Sequence, residues 1–183
     1  MLRLLKMFLT VVCLFVGCSC PTLASDGVCS SAQLPEPVRA VLESQFQNWR
    51  YVTLSDLNDY YRDKWIESSP KECPGLVIGH LRGTHSLSYA FLLVPRQGKA
   101  EKYKLIVVHR SEKNGYVAAE VASFEATYHY SVISKATPRQ YTDLDKGTRI
   151  NLLLDGIIVE ELGAGASFYF WHQGKYKEIL ISE

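Results

Sequence analysis

From residue 76 to residue 182 the chain is a series of short apolar runs, and this pattern limits the fold more than any other feature of the sequence. Each run is bounded by Gly, Pro, Asn or clusters of charged residues, which is typical of β-strands. The runs lie at residues 76–78, 89–94, 103–109, 116–124, 126–138, 150–154, 157–161, 167–171 and 176–182. The links between them are too short for the crossover that a parallel pair needs, so the pattern predicts antiparallel pairing.

The residues before these runs have a helical period instead. One set of apolar residues recurs at steps of three and four and predicts a helix ending near Trp49: Val38, Val41, Leu42 and Phe46. A second helix is predicted after the cap region 53–56, with one aromatic-rich face: Leu57, Tyr60, Tyr61 and Trp65. Two helices followed by seven to nine strands predict an α+β domain, in which both N-terminal helices pack on one face of a curled, mainly antiparallel sheet.

Residues 1–24 predict a cleavable export signal. Arg3 and Lys6 give a positive start, and the apolar run that follows is about a dozen residues long. Such a run is long enough for a signal peptide and too short to span a membrane. Small residues at Thr22 and Ala24 fit cleavage after Ala24. We therefore expect a periplasmic or secreted mature protein.

Cys18 gives an alternative processing site. A small residue, Gly17, precedes this cysteine at the end of the apolar run, which is the arrangement that lipoprotein processing recognises. Phe15 stands where that pattern usually has Leu, Val or Ile. Lipidation at Cys18 would anchor the protein at a membrane, and it is the one form of membrane attachment that we expect.

Two cysteines remain after cleavage at Ala24, Cys29 and Cys73. Two cysteines in an exported chain most simply form one disulfide. A metal or catalytic site is the alternative use of these thiols, but no His or acidic residue accompanies either of them at ligand spacing. The sequence therefore predicts a bridge that ties the N-terminal arm to the body of the protein.

The charge balance argues against a nucleic-acid partner. The chain has 20 basic and 19 acidic residues, and loss of Arg3 and Lys6 with the signal leaves 18 against 19. Nucleic-acid-binding domains normally carry a basic excess. Hydrophobic residues make up 47% of the chain, which is enough for one core, so we expect a single domain over residues 25–183.

The segment from Cys73 to Pro95, which reads CPGLVIGHLRGTHSLSYAFLLVP, resembles small secreted bacterial proteins of unknown function. In those proteins a Pro-Gly pair and a short strand precede an acidic, glycine-rich loop that is similar to the calcium loops of FG-GAP and VCBS repeats. Gly79, Gly83 and Tyr89 stand where that pattern has them. The stretch from Asp155 to the end of the chain is similar to the last hairpin of the same proteins.

The calcium ligands of that pattern are missing in this chain. The family's carboxylate positions hold His80, Arg82, Thr84 and Ser88, and His85 replaces a glycine. Calcium needs six to eight oxygen ligands, many of them charged. We therefore expect a loop without calcium, and we expect no cofactor elsewhere.

Several polar and aromatic residues form a candidate binding surface. Those in the loop are His80, Arg82 and His85, and those on predicted strands are Tyr128, Tyr130, Tyr169 and Trp171. Alternation along a strand puts Tyr169 and Trp171 on one face. If that face is exposed, it is a candidate surface for binding another protein, and if it is covered, it belongs to the core.

These observations favour an exported, non-enzymatic protein that binds another protein of the cell envelope, as an inhibitor or an immunity-type partner does. One alternative is a secreted hydrolase that uses His80 or His85 with a serine or carboxylate brought near by folding. Another alternative is a structural or vestigial envelope protein whose ion loop has decayed.

Overall fold

The computed structural model describes residues 27–97, 102–113, 115–125 and 130–182. The predicted signal, Cys18 and Tyr128 lie outside these residues. Two α-helices are present in the described part, α1 (Glu36–Gln45) and α2 (Asp59–Ser68). Neither of them is long and apolar enough to cross a membrane.

Eleven strands lie in the described residues and form two main antiparallel sheets and one hairpin. Sheet I contains β1 (Trp49–Tyr51), β2 (Leu76–Gly79), β3 (Ser88–Pro95), β4 (Lys102–Ser111) and β5 (Gly115–Glu125). Sheet II contains β6 (Ser131–Ala136), β9 (Gly156–Glu161), β10 (Gly165–His172) and β11 (Lys175–Ser182). The hairpin consists of β7 (Gln140–Asp143) and β8 (Thr148–Asn151).

The inner faces of the two sheets share one apolar core. Leu92 and Leu105 of sheet I pack with Ile157 and Tyr169 of sheet II in this core. The neighbouring edges are joined directly, since the N–H of Ile133 on β6 donates to the carbonyl of Pro74 just before β2, at 2.7 Å. The two sheets therefore cover each other.

Helix α1 covers the outer face of sheet I. Leu34 and Val38 pack there against Phe91 and Ile106. Strand β3 consequently buries both of its faces, and seven of its eight residues are buried. This explains why β3 is an unbroken apolar run rather than an alternating one.

The β7–β8 hairpin covers the outer face of sheet II. Tyr141 and Leu152 pack against Phe168 and Phe170. The rings of Tyr141 and Phe168 are stacked, with their centroids 4.6 Å apart. The covering layer on this side is thus a hairpin rather than a helix.

The predicted α+β class is wrong. Strands take up 49% of the described residues, and the two helices have ten residues each. They do not form a layer on one curled sheet. Helix α1 lies on the outer face of sheet I, while Trp65 of α2 packs in a separate small cluster with Leu54, Leu57 and Val132. The physical reason is that the apolar strands have two buried faces, and the second sheet covers the inner one.

Antiparallel pairing is confirmed, but two short strands, β1 and β7, are missed by the sequence pattern. Strand β1 lies in a segment predicted as the end of a helix, and β7 lies between the predicted runs 126–138 and 150–154. Strand β8 overlaps the second of these runs but begins and ends earlier in the chain. Each has three or four residues. Their register comes from partners distant in the chain or from the surface they cover, so local periodicity does not identify them.

A disulfide joins Cys29 and Cys73, as predicted. The Cα atoms are 5.0 Å apart, and 44 positions separate the two residues in sequence. The bridge ties the segment before α1 to the start of β2. Disulfides persist in oxidising compartments, and the pairing is consistent with such a compartment.

Replacing both cysteines with alanine is expected to lower the free energy of unfolding by about 4 kcal/mol, because the unfolded chain then regains the freedom of the closed loop. Urea unfolding of the C29A/C73A variant against the parent measures this. A reducing agent should destabilise the parent by a similar amount and leave the variant unchanged. Equal stability of parent and variant would contradict the prediction.

Gly75 comes just before β2. It lies at the point on the edge of β3 where pairing with β1 ends and pairing with β2 begins. A Cβ atom at Gly75 would stand 2.2 Å from the backbone oxygen of Val52. The backbones of Gly75 and Val52 both hydrogen-bond to Leu92, which fixes their separation.

Gly75→Ala is therefore expected to destabilise the fold by about 2 kcal/mol or more. Gly27→Ala is the control, since nothing lies within 4 Å of a Cβ there, and it should change stability by less than about 0.5 kcal/mol. Urea unfolding compares the two variants, and equal effects would contradict this account.

Candidate functional site

The loop of residues 80–87, between β2 and β3, lies at one end of the shared core. Its first residue is tied to the segment before β9, because the N–H of His80 donates to a carboxylate oxygen of Asp155 at 2.8 Å. The same oxygen would be 2.7 Å from a Cβ at Gly79. Glycine at this position therefore lets the carboxylate approach and anchor the loop.

Arg82 occupies the centre of this end of the molecule. Its guanidinium carbon lies 4.2 Å from the centroid of the Trp171 ring. One of its terminal nitrogens also contacts Nε2 of His109. Tyr176 supports the arrangement, because its ring packs edge-on against Trp171 at 5.1 Å and its hydroxyl donates to the carbonyl of Leu81 at 3.5 Å. Loop and sheet II thus hold the guanidinium in one position.

His109 is buried on the inner face of sheet I, opposite Ser88 on the neighbouring strand. Burial lowers the pKa of His109, the positive charge of Arg82 lowers it further, and the Val107 backbone partly opposes the shift. The imidazole is therefore neutral at neutral pH, and its Nε2 accepts from the guanidinium of Arg82. The other ring nitrogen, Nδ1, is buried without a hydrogen-bond partner of good geometry among the described residues.

A cavity of about 410 Å³ opens beside Arg82. We call it the basin. Its lining consists of three cations, one carboxylate, three serines, a histidine and a glycine: Arg82, Arg110, Lys113, Glu112, Ser86, Ser88, Ser111, His109 and Gly83. Its walls are the loop and the β4–β5 turn. The basin is therefore polar and carries an excess of positive charge.

A second, larger cavity of about 750 Å³ also reaches the loop, at Thr84, and shares no lining residue with the basin. We call it the groove. Thr84, Trp171 and the segment before β9 contribute to its lining. Leu153 in that segment is 89% exposed, and it is the most exposed of the large apolar side chains among the described residues. The lining of the groove thus includes a highly exposed leucine and a partly exposed tryptophan.

The predicted binding surface is divided by the structure. Arg82 and Trp171 are brought together, and His80 and His85 are exposed on the same loop. Tyr130 lies elsewhere, with its ring 5.8 Å from that of Tyr61 on α2. The structure therefore places Arg82 and Trp171 in one cluster and Tyr130 in another region, and a binding role for these residues stays a prediction.

Tyr169 is a core residue. It is 6% exposed, and its hydroxyl donates to a carboxylate oxygen of Glu178 at 2.8 Å. Burial raises the pKa of Tyr169, and Glu178 raises it further. The face that carries Tyr169 and Trp171 is thus covered at Tyr169 and opens at Trp171, where the strand reaches the end of the core.

His80 and His85 gain no catalytic partner from the fold within the described residues. The contact made by His80 is through its backbone N–H, and neither imidazole has a hydrogen bond to a serine or a carboxylate. The described residues also contain no group of three metal-ligating side chains. The histidine in the centre of the cluster is His109 instead.

His109, Lys113 and Leu153 are residues of the site that sequence reasoning missed. A signal for His109 is present in the sequence, because alternation along 103–109 places it on the same face as Leu105 and Val107. A histidine at the end of a core-facing stripe is a candidate for a buried polar contact. No local signal distinguishes Leu153 from its neighbours in a short apolar run.

Comparison of the chain with known protein families gives no match. Comparisons with curated proteins and with solved structures give none either. The resemblance to small secreted proteins with an FG-GAP-like loop therefore stays a prediction. The case for function rests on the geometry of this end of the molecule.

Arg82→Gln is expected to raise the pKa of His109 toward its ordinary value of 6.5. The reason is that a neighbouring positive charge disfavours the imidazolium, while burial still holds the pKa below that value. Titration of the His109 ring signals by NMR measures the change. Arg149→Gln, which removes a charge from the groove, is the control and should leave the pKa of His109 where it is. A His109 pKa that falls or stays unchanged in Arg82→Gln would contradict the assignment of Arg82 as a cause.

Proposed function

We propose that this chain is an exported, non-enzymatic protein that binds another protein of the cell envelope, as an inhibitor or immunity-type partner does. The partner docks at the end of the molecule formed by the 80–87 loop, the groove and Trp171. The observation that carries the proposal is a preformed groove whose lining includes both the 89% exposed Leu153 and the partly exposed Trp171.

The chemistry of the groove supports a protein partner. Trp and Arg are enriched among the residues that contribute most to protein interfaces, and Arg82 stacked on Trp171 offers both at one point. Exposed apolar side chains at a concave surface are typical of binding sites. Leu153 and Trp171 provide the apolar centre of such an interface.

Charged side chains also line the groove, and those other than the buried Asp143 are exposed or partly exposed. Three acidic and three basic residues line the groove: Asp143, Asp155, Glu178, Lys146, Arg149 and Lys177. A polar rim around an apolar centre is the usual anatomy of a protein interface. The mixed signs also favour a partner with its own pattern of charges over a uniformly charged polymer.

Export is supported by the N-terminal sequence and by the disulfide. A positive start followed by an apolar run is the pattern of a signal peptide, and the Cys29–Cys73 bridge is stable in an oxidising compartment. We propose a periplasmic or secreted location. Lipidation at Cys18 would place the same domain at a membrane surface.

Leu153→Asp and Trp171→Ala are expected to weaken partner binding by about thirtyfold or more, which corresponds to the roughly 2 kcal/mol of a central interface residue. The partner is first captured from an envelope extract on the mature protein and identified by mass spectrometry. It is then purified, and its affinity for each variant is measured by calorimetry. Measuring the affinity with the purified partner shows that the two proteins bind directly and not through a third protein of the extract.

Ile66→Asp is the matched control. Ile66 is 41% exposed on α2, and no residue of α2 lines the groove. This variant should bind the partner as the parent does. The His80→Ala/His85→Ala double variant tests the hydrolase alternative instead. Loss of binding in Ile66→Asp with full binding in Leu153→Asp and Trp171→Ala would place the interface elsewhere and overturn the proposal. A hydrolase activity that disappears in the double histidine variant would overturn its non-enzymatic part.

A further inference from the structure

Arg82 is a partly buried charge without a counterion in the described residues. The ion pairs found there use other cations, and neither Arg82 nor the two cations that share its basin, Arg110 and Lys113, takes part in one. Charged groups removed from water are normally paired, because an unpaired charge is costly to bury. The guanidinium is thus a positive charge with no carboxylate at ion-pair distance among the described residues.

Two groups contact the guanidinium of Arg82 and orient it, but neither of them neutralises its charge. The face of Trp171 attracts the cation through its π electrons, and His109 offers a neutral ring nitrogen. Neither group is an anion. A guanidinium has five N–H donors in a rigid fork, so donors remain after the single contact with His109.

The basin next to Arg82 supplies further donors. Lys113 and Arg110 add positive charge, and three serine hydroxyls line the same cavity: Ser86, Ser88 and Ser111. Glu112 is the one carboxylate in the lining. A set of cations and hydroxyls around a fixed guanidinium is the donor set that recognises carboxylate and phosphate groups.

We infer that the basin binds an oxyanion, with Arg82 as its principal ligand and Lys113 as a second one. The ligand group is a carboxylate or a phosphate. A docked protein can supply the first, and free phosphate can supply the second. This inference goes beyond the proposed function and does not need it, because the basin and the groove have no lining residue in common.

The test is an NMR titration of the isotope-labelled mature protein with sodium phosphate and, separately, with sodium acetate. Ionic strength is held constant with sodium chloride. At least one anion should give saturable shifts of the amide signals of residues 82–88 and 109–113. Saturation by phosphate identifies a tetrahedral ligand, and saturation by acetate alone identifies a planar carboxylate.

Arg82→Gln is expected to weaken this binding by about tenfold or more, since it removes charged hydrogen bonds to the anion. Lys113→Gln, in the exposed β4–β5 turn, should weaken it by about threefold, and it keeps the test available if Arg82→Gln does not fold. Arg149→Gln removes a cation from the groove and should leave anion binding unchanged.

Two outcomes overturn the inference. One is the absence of saturable shifts with both anions. The other is an equal loss of affinity in the Arg82, Lys113 and Arg149 variants, since that would reflect the overall charge of the protein rather than a site. Neither outcome affects the proposed function, because partner binding is measured separately on Leu153 and Trp171.

Discussion

Burial of both faces of β3 and β4 is the constraint on which the rest of the structure depends. An antiparallel sheet often leaves one face in water, but here Leu92 and Leu105 point to one side while Phe91 and Ile106 point to the other. Each side needs a separate apolar cover. Sheet II provides the inner cover and α1 provides the outer one. Strands β1 and β2 both pair with one edge of β3. The disulfide and Gly75 fix the segments next to these two strands, and in this way they help to hold the core with its two buried faces together.

The candidate site follows from where this core ends. Where β3 begins and β4 approaches its end, two buried inward positions hold the polar residues Ser88 and His109 in place of apolar ones. The 80–87 loop closes this end and carries Arg82 between the two sheets. A neutral histidine and a tryptophan face then hold the guanidinium without neutralising it. The charge of Arg82, the basin and the groove thus lie at one end of the molecule because of the way that the two sheets are joined.

The parts of this arrangement that sequence reasoning found depend on short-range patterns. Alternation and turn residues identify most of the long strands, and the count of cysteines identifies the bridge between Cys29 and Cys73. The same reasoning failed for the fold class, because an apolar run does not say whether a helix or a second sheet covers it. It also grouped Tyr169 with Trp171 correctly on one face but could not say where along that face the core ends.

The sequence by itself determined the antiparallel strands, the bridge between Cys29 and Cys73 and the presence of Arg82 in a loop that lacks calcium-type ligands. These properties depend on the type and spacing of neighbouring residues. The tertiary structure decided which layers cover the strands, which side chains reach Arg82, and that Leu153 stays in water beside Trp171. His109 and Trp171 are distant from Arg82 in sequence, and their meeting depends on the register of two sheets. That register is set by packing across the whole core, which no local pattern contains.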